Sequence, residues 1–94
     1  MTVFHYYYLT LMTEKTLDEI LDYLERSIGN MARGAKKTAE FQEDFQDLEN
    51  FLSSQFDIRL ENILQAKHSS IHHLESGMKN KVIQKKQEIL KKVT

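Results

Sequence analysis

The sequence predicts an all-α protein, on the evidence of its missing helix breakers and of two apolar periodicities. The 94 residues contain no proline and only three glycines. Proline removes a helix hydrogen-bond donor and glycine costs helix stability, so chains poor in both are mostly helical. The chain also has no cysteine, which excludes a disulfide framework and thiol ligands for a metal. We predict a helical hairpin whose second arm is one long, amphipathic, coiled-coil-like helix.

The first helix is predicted over residues 14–29. Thr16 followed by Glu19 matches a capping box, in which the hydroxyl and the carboxylate satisfy free backbone donors at the helix start. Apolar residues then recur at steps of three and four, which gives one apolar face: Leu17, Ile20, Leu21, Leu24, Ile28 and Met31.

The end of this helix has two interpretations. Gly29-Asn30 can adopt the left-handed conformation of a C-cap, which predicts a turn over residues 30–36. Alternatively, Met31, Ala32 and Ala35 carry the apolar face, and the helix, through that segment.

The second helix is predicted from an apolar ladder with an 11-residue rhythm. Eleven residues correspond to about 3.67 residues per turn, so the stripe follows an α-helix with little drift. Thirteen of the fifteen rungs are apolar, against six of the thirty-nine residues between them, so the pattern exceeds chance. The rungs are Phe41, Phe45, Leu48, Leu52, Phe56, Leu60, Ile63, Lys67, Ile71, Leu74, Met78, Val82, Lys85, Ile89 and Val93.

The length of this second helix is an open question. Beginning near residues 35–38 and ending near 92, it would reach about 80 Å at 1.5 Å per residue. A short first helix cannot cover that stripe, so either a partner lies along it or the helix breaks. A break near residues 53–54, 69–70 or 77 would give a three-helix bundle.

Residues 3–11 read differently from the rest, because they are rich in aromatic and β-branched types. They fit a hydrophobic arm, the first turns of helix 1, or an extension upstream of the natural start. We therefore divide the chain into residues 1–12, the arm or extension, and residues 13–94, a single helical domain with a lysine-rich segment at 79–92.

Charge is segregated along the chain. Residues 1–34, 35–62 and 63–94 carry net charges of −2, −4 and +5. Two long helices with an acidic front and a basic rear attract best when they run antiparallel, so we predict a homo-oligomer, most simply an antiparallel dimer.

The lysine-rich segment is the candidate anion-binding site. Its lysines fit contacts with nucleic-acid phosphates or an anionic membrane surface, or the ordinary polar edge of a coiled coil, which we favour. The segment lacks arginine and aromatic residues for base readout and stacking, so nucleic acid is the weaker expectation. The six lysines are Lys79, Lys81, Lys85, Lys86, Lys91 and Lys92.

Chemistry-bearing motifs are scarce. His68, His72 and Glu75 would share one helix face, but further metal ligands would have to come from a second subunit. We predict no metal site and no cofactor. The sequence holds no nucleophile motif and no phosphate-binding glycine loop, so we expect no enzyme.

The function predicted is therefore a small adaptor, assembly factor or inhibitor that acts through helix–helix contacts. Alternatives are a nucleic-acid-associated accessory protein and a helical-hairpin secretion substrate or chaperone. No stretch is long enough to span a membrane and the start does not resemble a signal peptide, so we expect a cytoplasmic protein. The predicted partner-binding residues are Phe41, Phe45, Leu48, Leu52, Phe56, Leu60, Ile63, Ile71, Leu74 and Met78.

Overall fold

Three α-helices make up most of the part of the chain that the structure describes. The computed structural model describes residues 12–37 and 45–94. Within these ranges the helices are α1 (Glu14–Ala35), α2 (Phe45–Ala66) and α3 (Ser76–Val93), and a short 3-10 helix spans Ile71–His73. Neither range contains a strand. None of the helices in these two ranges has the length and apolarity to cross a membrane. The all-α prediction is confirmed.

The first helix begins at Glu14 as predicted, but its capping residue and its C-terminal end are corrected. The N-cap is Thr13, whose hydroxyl oxygen accepts a hydrogen bond from the Thr16 backbone N–H at 3.1 Å, so the capping box starting at Thr16 was wrong. The helix also continues through Gly29 and Asn30 to Ala35. Ala32 is buried and continues the apolar face, so packing outweighs the modest helix cost of one glycine. The alternative that carried the helix through this segment is confirmed.

The single long second helix was wrong. α2 ends at Ala66, and residues 67–75 form turns and the 3-10 helix before α3 begins at Ser76. The break therefore falls at the predicted position near 69–70. Residues 53–54 lie inside α2, and Gly77 lies in the first turn of α3. Phe41 and residues 3–11 lie outside the described residues. The predicted start of the second helix, near residues 35–38, lies partly outside them, and its described part is the end of α1 and the turn that follows.

A backbone capping motif ends α2. The His68 N–H donates to the Gln65 carbonyl at 3.0 Å, and the Ser69 N–H donates to the Leu64 carbonyl at 2.8 Å. This pair of bonds is the Schellman arrangement, which needs a left-handed residue at the position that His68 occupies. Its φ is 61°, and it is the one non-glycine residue with positive φ in the described ranges.

We predict that His68→Gly stabilises the protein by about 1 kcal/mol, because a non-glycine residue costs about 1–2 kcal/mol in the left-handed region and glycine loses more chain entropy. The β-branched His68→Val should instead destabilise it. Urea unfolding followed by circular dichroism measures both changes. The matched control is His72→Gly, because His72 is exposed within the 3-10 helix and should gain nothing. Equal effects at both positions would contradict the assignment of strain to His68.

The core lies between the three helices and uses most of the described ladder rungs. Fully or almost fully buried apolar side chains come from every helix and from the α2–α3 connection. They are Leu17, Ile20, Leu21, Leu24, Ile28, Ala32, Leu48, Leu52, Phe56, Leu60, Leu64, Leu74, Met78, Val82 and Ile89. Ile58 and Ile83, which lie off the ladder, are 50% and 53% exposed. Leu64 is the exception, since it lies off the ladder and is fully buried.

Each helix packs against the other two. Asp18 and Glu25 of α1 contact Lys81 and Lys92 of α3, so the two helices run in the same direction. On its other side, α3 packs against α2. Lys86 contacts Asp57, and each residue lies about ten residues from the turn that joins the two helices, so these helices run in opposite directions. α2 therefore runs antiparallel to both of its neighbours.

Candidate interaction surfaces

Most of the predicted partner-binding residues are covered by the chain itself. Leu48, Leu52, Phe56, Leu60, Leu74 and Met78 are at most 7% exposed. Among the predicted partner-binding residues whose side chains the structure describes, only Ile63 and Ile71 keep partly accessible surface. Phe41 and the side chain of Phe45 lie outside the described part. The apolar stripe from which we predicted a partner is therefore largely buried between the three helices.

The predicted anion-binding lysines are mostly engaged in ion pairs with the same chain. The Lys81 ammonium lies 2.7 Å from Asp18 Oδ1 and 3.4 Å from Glu14 Oε2. Each carboxylate oxygen of Glu25 contacts one lysine ammonium: Oε1 lies 3.0 Å from Lys85 Nζ, and Oε2 lies 2.9 Å from Lys92 Nζ. These contacts form two groups that lie in a row along one side of the α1–α3 interface.

This row has a sequence signal that charge counting overlooked. Acids on α1 occur at Glu14, Asp18 and Glu25, and lysines on α3 occur at the same relative spacing of four and then seven residues (81, 85 and 92). A spacing of four, seven or eleven keeps residues on one helix face. Two helices with matched spacings of opposite charge can pair in parallel, which is the direction that α1 and α3 adopt. Glu14–Lys81 and Glu25–Lys92 keep this register, whereas Asp18 contacts Lys81 rather than Lys85.

The opposite edge of α3 carries one further ion pair. Lys86 donates to both carboxylate oxygens of Asp57 on α2, at 2.8 and 3.0 Å. Its ammonium also lies 5.9 Å from the centre of the Phe56 ring, within cation–π range. Within residues 12–37 and 45–94, Lys79 and Lys91 take part in no ion pair. Four of the six lysines are therefore paired with carboxylates on the two neighbouring helices.

Glu25 is the most connected carboxylate of the row. Hydrogen bonds from Lys92 and Lys85 hold its pKa below the usual value of 4.5. Reciprocally, the Glu25 carboxylate raises the pKa of Lys85 above 10.5. Its side chain is 28% exposed and that of Lys85 is 23% exposed, so water screens this pair only in part.

The lowered pKa of Glu25 predicts an acid-sensitive part of the stability. A carboxylate whose folded-state pKa lies below the unfolded value contributes stability that is present above the unfolded pKa. That stability disappears as pH falls from about 4.5 through the folded-state pKa. Urea unfolding at neutral pH and below pH 4.5 should therefore show a larger loss in the wild type than in Glu25→Gln, which cannot titrate there. Identical losses would contradict the role of Glu25.

The histidine group predicted to share one helix face is not placed on one helix. His68 lies past the end of α2 with a left-handed backbone, and His72 lies in the 3-10 helix. The premise of a common helical face was therefore wrong, because the helix breaks there. Among the described residues, no group of three or more histidines and acids is positioned to hold a metal ion.

A shallow groove between α1 and α2 exposes the most accessible aromatic side chain that the structure describes. The groove has a volume of about 270 Å³ and is lined by Ile20, Tyr23 and Ile63, with Thr16, Glu19 and Lys67 around them. Tyr23 is 45% exposed, whereas Ile20 beneath it is 5% exposed. Sequence reasoning missed Tyr23, although it follows Ile20 by three residues and so lies at the edge of the apolar face of α1.

Comparison with known proteins gives no further guide to this surface. Neither a protein-family model, nor a curated protein, nor a solved structure matches the chain.

Proposed function

We propose that this chain is a small, non-enzymatic helical interaction protein that binds an apolar segment of a protein partner in the groove between α1 and α2. The observation that carries the proposal is Tyr23, a large aromatic side chain left 45% exposed beside partly accessible Ile63. Tyrosine is enriched among the residues that dominate binding energy at protein interfaces. Its ring offers apolar contact area and its hydroxyl a hydrogen bond.

The charges of the groove favour an uncharged apolar occupant. One acid, Glu19, and one base, Lys67, lie on its rim, so the rim has no net charge. The small volume suits one or two side chains rather than a whole cofactor. An amphipathic helix that inserts an apolar side chain next to Tyr23 satisfies both properties, and this is a common mode of peptide recognition.

The lysines of α3 give less support to a nucleic-acid partner. Four of the six predicted anion-binding lysines already neutralise carboxylates of α1 and α2. A phosphate contact would have to break those pairs, and no aromatic side chain in residues 79–92 offers a stacking surface. We therefore place the function in protein–protein contact.

A second copy of the chain is the first partner to test. The antiparallel dimer was predicted from opposite charges on the two halves of the long helix, and four lysines of the basic half already pair with carboxylates of the same chain. A homodimer would accordingly use the Tyr23 groove rather than the ladder face. Sedimentation at micromolar concentration, at low and high salt, distinguishes a self-associating chain from one that needs another protein.

Photo-crosslinking tests the proposed groove directly. The substitution Tyr23→p-benzoylphenylalanine places a crosslinker in the groove, and Ile83→p-benzoylphenylalanine is the matched control, because Ile83 is 53% exposed on α3, away from the groove. We expect a discrete adduct from position 23, either of doubled mass in the purified protein or with another protein in native lysate. The control should give none, and Ile63→Lys should abolish the adduct at position 23. No adduct, or equal adducts from both positions, would refute the proposal.

A further inference from the structure

A second groove lies between the C-terminal turns of α1 and α3. Because the two helices are parallel, their last turns lie at the same end of the molecule. The groove has a volume of about 340 Å³, and Gly29, Ala32, Ile89 and Val93 form its apolar lining. Gly29 and Val93 keep partly accessible surface there, whereas Ala32 and Ile89 beneath them are 2% and 0% exposed. The groove is separate from the one that contains Tyr23.

The rim of this end groove is basic. Arg33, Lys36 and Lys92 line it, together with Glu25 as the one acid. Glu25 is already shared between Lys85 and Lys92. Arg33 donates to the Asn30 side-chain oxygen, and within the described ranges neither Arg33 nor Lys36 has a carboxylate partner. The rim therefore keeps positive charge that the described residues do not neutralise.

The helix dipoles explain only in part why cationic side chains lie at these two C-termini. A lysine or arginine in the last turn is stabilised by the partial negative charge of the helix end. That effect requires no cleft, and it does not account for an apolar floor between the charged side chains. An apolar floor with a positive rim is complementary to a partner that has an aliphatic side chain next to carboxylates.

We infer that this end groove binds an acidic amphipathic segment of a protein partner. An aliphatic side chain of that segment packs between Gly29 and Val93, and its flanking carboxylates pair with Arg33 and Lys36. A nucleic acid fits less well, because the lining contains no aromatic side chain on which a base could stack.

The glycines provide a direct readout of this binding. The chain has only three glycines, whose amide signals lie in a sparsely populated region of a ¹H–¹⁵N NMR spectrum. Gly29 lines the end groove, whereas Gly77 lies in the first turn of α3, at the far end of that helix. The probe is a capped synthetic peptide with leucines and glutamates on one helical face, and its control is the same peptide with glutamines in place of the glutamates.

We expect the acidic peptide to shift the Gly29 amide saturably and to leave that of Gly77 in place. The double substitution Arg33→Glu with Lys36→Glu should weaken binding at least tenfold. The matched double substitution Lys15→Glu with Arg26→Glu changes the net charge equally on exposed positions of α1 outside the groove, and it should change the affinity less than twofold.

Three results would overturn the inference. One is the absence of a saturable Gly29 shift at peptide concentrations up to about 1 mM, where even weak recognition is visible. Another is equal binding of the glutamine peptide. The third is equal weakening by the two double substitutions, which would reduce the interaction to general charge attraction. The Gly29 shift is measured on the unaltered chain, so the test does not depend on the variants being folded.

Discussion

Replacing Phe56 by alanine is expected to lower the free energy of unfolding by about 3–5 kcal/mol. Phe56 is fully buried in α2, on the face that packs against the other two helices, and it is the largest of the fully buried side chains. Its removal leaves a cavity whose lining loses dispersion contacts, in addition to the lost transfer free energy. A domain of this size has a total stability of about 5–15 kcal/mol, so the variant would retain little margin.

Thermal unfolding followed by circular dichroism measures this effect. The midpoint should fall by roughly 12 °C or more, because each kcal/mol shifts Tm by about 4–8 °C in a domain of this length. Ile58→Ala is the matched control, since Ile58 is an apolar residue of the same helix that is 50% exposed. It should change the midpoint by only a few degrees. Similar losses at both positions would contradict the assignment of Phe56 to the core.

Reversing the charge at Glu25 is expected to destabilise the protein by about 2 kcal/mol at low salt. Glu25→Lys removes the contacts with Lys85 and Lys92 and adds a third ammonium between them. Each exposed ion pair contributes about 0.2–1 kcal/mol, and like charges on neighbouring positions cost a similar amount. The contact with Lys92 is discounted, because that lysine side chain is 63% exposed.

Ionic strength identifies the origin of this loss. Urea unfolding at low salt and in about 1 M NaCl should give a smaller penalty in salt, because the screening length falls to about 3 Å. Glu49→Lys makes the same charge change on an exposed position of α2 that has no ion pair within the described residues, and it should cost much less. A penalty that is independent of salt would point to altered packing instead.

The sequence was sufficient for the helical class and for most of the core. The three- and four-residue spacing from Leu17 to Ile28 identified the buried face of α1, and the ladder identified Leu48, Leu52, Phe56 and Leu60 of α2. Hydrophobic spacing is a strong signal because one side of a helix must be buried. The same spacing continued across the α2–α3 turn, so periodicity alone could not show that the helix ends.

The turn itself depends on features that propensity does not encode. A histidine at the left-handed position of a C-cap is uncommon, since glycine and asparagine are the usual residues there. His68 has that conformation where the chain leaves α2, and Leu74 and Met78, further along the chain, pack into the core. The predicted helix end at residues 29–30 was wrong because propensity alone favoured a stop at Gly29. Gly29 stays helical in a segment where Ala32 is buried.

The candidate surfaces were less predictable than the core. The ladder that was taken for a binding face is mainly internal, and Tyr23 entered no prediction because a single tyrosine at the edge of an apolar face has no distinctive pattern. Of the six candidate anion-binding lysines, four pair with carboxylates of the same chain, which was not predicted from the sequence. The matched spacings of α1 and α3 contained that information, but reading them requires knowing that the two helices lie side by side.

The parallel contact between the first and last described helices has a consequence for the nascent chain. Glu14 and Lys81 are separated by 67 residues, so their contact cannot form until α3 has emerged from the ribosome. Until then, α1 lacks its contacts with α3, and Leu21, which lies beside Lys81 and Lys85 of α3, lacks that cover. Translational pausing before residue 76 would therefore prolong the exposure of apolar surface. The packing of the described helices is complete only when α3 has formed its contacts.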